Sequence, residues 1–132
     1  MTGIDTNILV RYFTQDDPVQ SRRATRFLQE QCSSENPCLI NRIVLCELVW
    51  VLMRAYAYSK PQVIEVLEKV LLSEFVIEDH AAAWTALRLY KRAEADFADC
   101  LVGILNLQLG CDRTRTFDRA ASRLRGFALL SD

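Results

Sequence analysis

The chain has 132 residues, of which 51% are hydrophobic and 25% are charged. A chain of this length can bury a core without disulfides or a structural metal, and it is too short for two comfortable domains. We therefore expect one domain over residues 1–132. The formal net charge of −1 points to no class of partner. Thirteen of the sixteen basic residues are arginines, which suit both phosphate contacts and salt bridges at an interface.

The five cysteines form no Cys-x-x-Cys pair, and two of them, Cys46 and Cys100, lie within apolar runs. An odd number in this pattern argues against a disulfide framework and against a zinc site. We recognise neither a secretory leader nor an apolar stretch long enough to span a bilayer. These features predict a cytoplasmic protein with reduced cysteines and no membrane contact.

Predicted strands and helices alternate along the chain. The first half holds a strand reaching Asp5, a helical stretch at 8–13, a helix at 19–31 capped by Asp17, a strand at 38–40, a buried helix at 44–57 and a helix at 60–72. The second half holds a strand at 75–77, helices at 80–92 and 96–109, the latter closed by Gly110, a strand at 113–117, a short helix at 119–124 and a strand at 127–130. This alternation predicts an α/β fold in which helices cover both faces of a parallel sheet.

Two acidic residues in the first half are candidates for chemistry. Asp5 follows the first predicted strand, and ligands of open α/β sheets bind beyond the carboxyl ends of strands. Asp5 could equally cap the helix that follows it. Glu47 is the only charged residue between Arg42 and Arg54. A carboxylate in so apolar a helix is paired, bound to a metal, or placed at the helix rim, and all three readings stay open.

The second half contains three more acidic candidates. Asp96 and Asp99 lie one helical turn apart, and they resemble a capping box with Asp96 as the N-cap. Gly103, four residues after Asp99, either leaves space for an ion or a phosphate or is a helix glycine that costs about 1 kcal/mol. Asp118 follows a predicted strand and could cap the next helix. Thr116 either hydrogen-bonds a metal-bound water or fills the strand.

Carboxylates at strand ends and helix starts could converge at one edge of the sheet. Such a cluster requires cations, and hard oxygen ligands favour Mg²⁺ or Mn²⁺. These cations would bind a phosphodiester that a bare acidic pocket repels, and they would activate a water. Arginines could hold the phosphate backbone without reading its sequence. Those that bracket Asp118 are Arg113, Arg115, Arg119, Arg123 and Arg125, and the first three are our candidate RNA contacts.

The ordered set of motifs resembles the PIN domain, and most closely the VapC-type toxins of bacterial type II toxin–antitoxin systems. The motifs are Asp5-Thr6-Asn7, Glu47 in its apolar helix, Asp96-Phe97-Ala98-Asp99-Cys100-Leu101-Val102 and Thr116-Phe117-Asp118. The resemblance implies a three-layer α/β/α domain with a central, mostly parallel five-stranded sheet. It also implies an endoribonuclease that uses Mg²⁺, for which Mn²⁺ substitutes, and that leaves a 5′-phosphate and a 3′-hydroxyl. A cognate VapB-like antitoxin and a homodimer are implied as well.

Transferred residue by residue, the family's acidic quartet falls on Asp5, Glu47, Asp99 and Asp118, which the resemblance makes both catalytic and metal-binding. Asp96, Thr116 and Asn7 are then auxiliary residues. The RNA substrate could be tRNA, rRNA or mRNA. The bulkier Leu105 and Leu107 depart from the small residues that many relatives carry along the same helix.

Other classes of protein fit the sequence less well. A phosphoacceptor receiver domain is excluded because Met53 stands near the expected acceptor aspartate and no lysine follows Lys91. A haloacid-dehalogenase-like phosphatase is excluded because Asn7 replaces its second aspartate. Two readings stay open: a PIN nuclease of RNA processing that is not a toxin, and a non-catalytic module with an acidic binding pocket. An antitoxin-like reading frame upstream would exclude the first, and a Mn²⁺-dependent shift in melting temperature would exclude the second.

Overall fold

A computed structural model describes residues 1–131 of the chain. Contacts divide it into two compact units, Met1–His80 and Ala81–Asp132. The prediction of a single domain over residues 1–132 stays a prediction. The elements of the first unit are β1 Thr2–Gly3, α1 Thr6–Thr14, α2 Pro18–Gln31, β2 Cys38–Ile40, α3 Arg42–Ala55, α4 Lys60–Leu72 and β3 Val76–Ile77. Those that follow are α5 His80–Arg92, α6 Phe97–Gln108, β4 Thr114–Thr116, α7 Arg119–Ser122 and β5 Phe127–Leu129.

The first unit is built on a three-stranded parallel sheet in the order β1-β2-β3. Thr2 pairs with Cys38, and Leu39 pairs with Val76. Helices separate successive strands, as parallel pairing requires, because the chain must cross back over the sheet each time. The fully buried side chains of this unit are those of Leu9, Cys38, Ile40, Leu45, Leu48, Leu52, Val63, Leu67 and Val70.

The second unit combines helices α5 and α6 with the parallel pair β4-β5, which α7 connects. Thr114 pairs with Phe127 and Thr116 pairs with Leu129. Phe97 is fully buried, and its ring meets that of Tyr90 edge to face with the centroids 5.9 Å apart. Such aromatic pairs add about 1 kcal/mol to the stabilisation from their buried area.

The predicted number of strands and their parallel pairing agree with the described residues, whereas one central five-stranded sheet does not. The strands form one sheet of three and another of two. Each strand has only two or three residues. Strands this short form few hydrogen bonds with their neighbours. Hydrophobic periodicity therefore located the strands, but it could not predict which strands pair with one another.

Two predicted helix boundaries rest on side-chain and backbone chemistry that the structure confirms. Asp17 caps α2 by accepting hydrogen bonds from the backbone N–H groups of Val19 and Gln20, with Pro18 at the first helical position. Gly110 follows the end of α6 with a φ of 94°. The N–H of Gly110 and that of the next residue close the helix on two of its last carbonyls, which is the Schellman arrangement.

Helix α3 departs from the prediction of a buried helix at 44–57. It ends at Ala55, and one of its faces is open to solvent. The exposed fractions of Ile43, Trp50 and Met53 are 66%, 62% and 40%. Apolar residues occupy nearly every position of this helix, so their spacing could not indicate which face is buried. Within residues 1–131, no helix is both long enough and apolar enough to cross a membrane.

The prediction that the cysteines form no disulfide is wrong for one pair. Cys32 and Cys38 are joined by a disulfide, with their Cα atoms 5.5 Å apart. Cys32 directly follows α2 as its C-cap and Cys38 begins β2, so the folded chain brings the two ends of one short loop together. An odd cysteine count could not reveal this local pair. Among the described residues, Cys46, Cys100 and Cys111 take part in no disulfide.

Candidate functional site

Asp5 lies where the chain passes from β1 into α1. Its Oδ1 accepts a hydrogen bond of 2.8 Å from the backbone N–H of Thr6 and so caps the helix. The Asp5 side chain is exposed. The capping reading from the sequence is therefore correct. Because one carboxylate oxygen serves as the cap, Asp5 can still present Oδ2 to a ligand.

Thr6 connects Asp5 to Glu47. The Thr6 side chain is only 7% exposed, and its Oγ1 donates a hydrogen bond of 2.8 Å to Glu47 Oε1. The neighbouring backbone N–H of the same residue donates to Asp5. One buried threonine thus fixes two acidic side chains that are 42 residues apart in the sequence. Sequence reasoning missed this role, although a threonine directly after Asp5 was the available signal.

Glu47 lies at the exposed rim of α3, which was one of the readings that the sequence left open. Its partner is the neutral hydroxyl of Thr6, and among residues 1–131 no arginine or lysine forms an ion pair with it. No lysine or arginine among the described residues therefore occupies the position that a bound cation would take at this side chain. Asn7, the third residue of the Asp5-Thr6-Asn7 motif, is also exposed.

The start of α6 carries the next two acidic residues. Asp96 occupies the N-cap position, but its side chain makes no capping hydrogen bond. The predicted N-cap position of Asp96 is therefore confirmed, whereas the side-chain hydrogen bond that a capping box requires of it is not formed. Asp99 lies in the first turn and is half-buried. The helix begins on an apolar anchor, since Phe97 is fully buried, and its N-terminal dipole favours negative charge nearby.

Negative charge is concentrated around Asp99. Burial raises the pKa of its carboxyl group, and repulsion from Asp96 and then from Asp118 raises it further. A hydrogen bond from the Asp96 backbone opposes this rise in pKa without cancelling it. The structure therefore brings three of the sequence-predicted acidic residues of the second unit within electrostatic reach of one another.

Asp118 is held at the end of β4. Its Oδ1 accepts a hydrogen bond of 2.9 Å from the backbone N–H of Ala121, which caps α7. Its own backbone N–H donates to Thr116 Oγ1 at 3.0 Å. Thr116 thus shapes the turn that presents Asp118 instead of merely filling the strand. The exposed Asp118 side chain keeps Oδ2 for another partner.

The three predicted RNA-contact residues lie near Asp118 in the chain, and all are exposed. Arg113 precedes β4, Arg115 lies within it and Arg119 begins α7. Arg115 Nη1 donates to the Leu129 carbonyl oxygen at 3.4 Å, and none of the three forms an ion pair with another described residue. Their charges are available to an anion in solvent.

The donor set fits a hard cation better than a soft one. Every side chain in question offers carboxylate oxygen, which suits Mg²⁺ and Mn²⁺. The pKa of Asp99 is raised first by burial and then by the negative charges of Asp96 and Asp118, which a bound cation would offset. Within residues 1–131, however, no three acidic, histidine or cysteine side chains stand close enough together to hold an ion. Convergence of Asp5, Glu47, Asp99 and Asp118 on one ion therefore stays a prediction.

Comparison with known proteins identifies the family of the chain. The family model described as PIN domain matches residues 4–126, which include all four predicted metal ligands. The chain is also similar to a protein named VapC ribonuclease from Aquifex aeolicus (strain VF5). The two are 25% identical over 126 residues, which cover 94% of this chain and 92% of the relative. Because the family model covers nearly the whole chain, this protein belongs to the PIN domain family.

Proposed function

We propose that this protein is a Mg²⁺- or Mn²⁺-dependent endoribonuclease and the toxin of a toxin–antitoxin pair. One observation supports the proposal above the others: Asp96 and Asp118 both place negative charge near Asp99 at the start of α6. Among the described residues, none of these three aspartates forms an ion pair. The similarity to a VapC ribonuclease along almost the whole chain supports the same activity. A structural acidic pocket has no comparable reason to keep like charges together.

In this proposal, Asp5, Glu47, Asp99 and Asp118 hold the divalent ion, and Asp96 adds negative charge beside them. When bound, the ion would attract the phosphodiester and acidify an attacking water. Thr6 orients Glu47 through the hydroxyl hydrogen bond, and Thr116 orients Asp118 through its backbone. Asn7, the remaining auxiliary residue, is exposed on the first turn of α1 and can contact RNA.

The RNA backbone would be held by Arg113, Arg115 and Arg119, whose charges no described carboxylate neutralises. Arginines of this kind position phosphates and do not select a sequence. A VapB-like antitoxin, a homodimer and a cytoplasmic location complete the proposal. The exposed apolar side chains of Ile43, Trp50 and Met53 on α3 support a protein partner, because patches of large apolar side chains mark interaction surfaces.

A cleavage assay on total RNA tests the proposed activity. We expect fragments in Mn²⁺ or Mg²⁺, none in EDTA, and ends that carry a 5′-phosphate and a 3′-hydroxyl. Mapping those ends identifies the RNA class and the cut site together. A melting temperature that does not respond to Mn²⁺, together with intact RNA, would favour a binding module. Cleavage without an antitoxin gene nearby would favour a role in RNA processing.

Replacing Thr6 by valine should lower Mn²⁺-dependent cleavage about tenfold, because a ligand that loses its orienting hydrogen bond binds metal less well. Valine keeps the shape of the buried side chain and removes only the hydroxyl. We expect the loss to shrink as the Mn²⁺ concentration rises, which a purely structural defect would not produce. Thr6→Ser restores the hydroxyl and serves as the matched control. Equal activity of both variants at low Mn²⁺ would exclude a positioning role for Thr6.

A further inference from the structure

A cavity whose lining includes none of the proposed metal ligands lies in the unit Ala81–Asp132. Its volume is about 340 Å³, and α5, α6 and the turn before β5 line it. Three arginines, Arg88, Arg92 and Arg125, contribute to its lining. No aspartate or glutamate is among the described residues around the cavity. The lining is therefore locally basic although the net charge of the chain is −1.

The three arginines have no charge partner among the described residues. All are exposed, and none forms an ion pair with another residue in the range 1–131. Arg88 and Arg92 lie four residues apart on α5, so they share one face of the helix and repel each other. An anion between them would relieve that repulsion. The cavity therefore favours a negatively charged ligand.

The rest of the cavity is apolar. Side chains of Leu89, Ile104, Leu107 and Phe127 contribute to it, and the buried Cys100 lies beneath them. A simple inorganic anion would gain nothing from such a surface. A ligand with a flat, poorly hydrated group next to a phosphate would use both parts of the cavity, and a nucleotide has this composition.

The cavity is also close to the proposed reaction along one helix. Gly103, which contributes to the lining, is four residues after Asp99 and therefore on the same face of α6, about 6 Å along the helix axis. A single strand of RNA whose phosphate lies at Asp99 could thus continue past this cavity. An acidic peptide would satisfy the arginines but has less use for the apolar surface.

We propose that this cavity binds one unstacked nucleotide of the RNA strand, with its base against Leu107 and Phe127 and its flanking phosphates on Arg88, Arg92 and Arg125. The inference rests on the proposed nuclease function and adds a substrate subsite to it. It predicts that affinity for single-stranded RNA depends on the cavity even when no metal is present. The subsite would help to hold the strand while the acidic residues act on a neighbouring phosphate.

The test measures binding of a fluorescein-labelled 12-nucleotide single-stranded RNA by anisotropy in EDTA, which prevents metal-dependent cleavage. The variant Arg88→Gln/Arg92→Gln should bind about tenfold more weakly than the parent. Its plot of log affinity against log salt should be less steep by about 1.4, since each phosphate contact on a single strand contributes about 0.7. Leu107→Asn should weaken binding about threefold and leave the salt slope unchanged.

The matched control is Arg22→Gln/Arg23→Gln, which removes two exposed arginines of α2 that form no ion pair with another described residue. It should stay within twofold of the parent. If both double variants weaken RNA binding equally, the loss reflects overall charge and the proposal is overturned. It is also overturned if neither variant weakens binding. A glutamate-rich peptide that displaces the RNA from the parent, but not from Leu107→Asn, would assign the cavity to an acidic protein segment instead. A parent that binds RNA through the cavity but never cleaves it would refute the proposed nuclease and leave the subsite standing.

Discussion

Asp99→Asn is expected to reduce metal-dependent RNA cleavage by more than a hundredfold while the protein stays folded. The substitution removes one carboxylate charge at the start of α6 and changes the size of the side chain very little. Asparagine keeps an oxygen that can accept the hydrogen bond from the Asp96 backbone. The measurement is the initial rate of cleavage of a fixed RNA in Mn²⁺, with circular dichroism to verify the fold.

The same variant should be more stable than the parent when no metal is present. The pKa of Asp99 is raised by burial and by repulsion from Asp96 and Asp118, so the folded state holds this proton more tightly than the unfolded state does. The free energy of unfolding of the parent therefore falls as the pH rises above the ordinary carboxyl range, about 4, and through the raised pKa. Asp99→Asn lacks this dependence, and its melting temperature in EDTA should exceed that of the parent at pH 7.

Asp112→Asn is the matched control, because Asp112 is exposed and lies in the loop before β4. It should change neither cleavage nor the melting temperature at pH 7. Mn²⁺ should raise the melting temperature of the parent and of Asp112→Asn, but it should raise that of Asp99→Asn less. An Asp99→Asn protein that cleaves RNA at the parental rate would remove Asp99 from the proposed metal site.

The parts of the fold that sequence predicted well are those that depend on neighbouring residues. Asp17-Pro18 marks the start of α2 and Gly110 marks the end of α6, through hydrogen bonds and backbone angles within one helical turn. Such signals can be recognised without knowledge of the rest of the chain. The parts it missed depend on distant contacts. The division of five short strands between two sheets and the open face of α3 are set by what packs against each element, which no local pattern contains.

The acidic residues show the same contrast. Asp5 and Asp118 follow strands, and the sequence was enough to propose them and to suggest their capping roles. The hydrogen bond from Thr6 to Glu47 joins residues 41 positions apart, so residue spacing could not predict it. Asp96 was predicted from the capping-box pattern, which describes residue types and not the direction in which a side chain turns. Its carboxylate makes no capping bond, and it adds to the charge around Asp99.

Gly103→Ala is expected to destabilise the protein by about 1–2 kcal/mol, although helices ordinarily prefer alanine to glycine. Alanine in a helix interior is about 1 kcal/mol more favourable than glycine. Gly103 is buried, however, and a methyl group there would overlap the ring of Phe127. The backbone that carries this ring is held in place, because Phe127 begins β5, pairs with Thr114 and donates its N–H to the Leu124 carbonyl. Overpacking of this kind costs about 1–3 kcal/mol, which outweighs the gain in helix propensity.

The ring contact gives Gly103 a packing role, which differs from the two explanations that its sequence position suggested. A double-mutant cycle with Phe127→Ala separates the effects, measured as free energies of unfolding in urea. In the Phe127→Ala background the obstructing ring is gone, so Gly103→Ala should become neutral or stabilising by up to about 1 kcal/mol. Cleavage by the double variant should then match that of Phe127→Ala alone. If Gly103→Ala instead stabilises the parent protein, the ring of Phe127 moves aside and the packing explanation fails. If the double variant folds well but cleaves poorly, the glycine keeps space open for the ion or the phosphate after all.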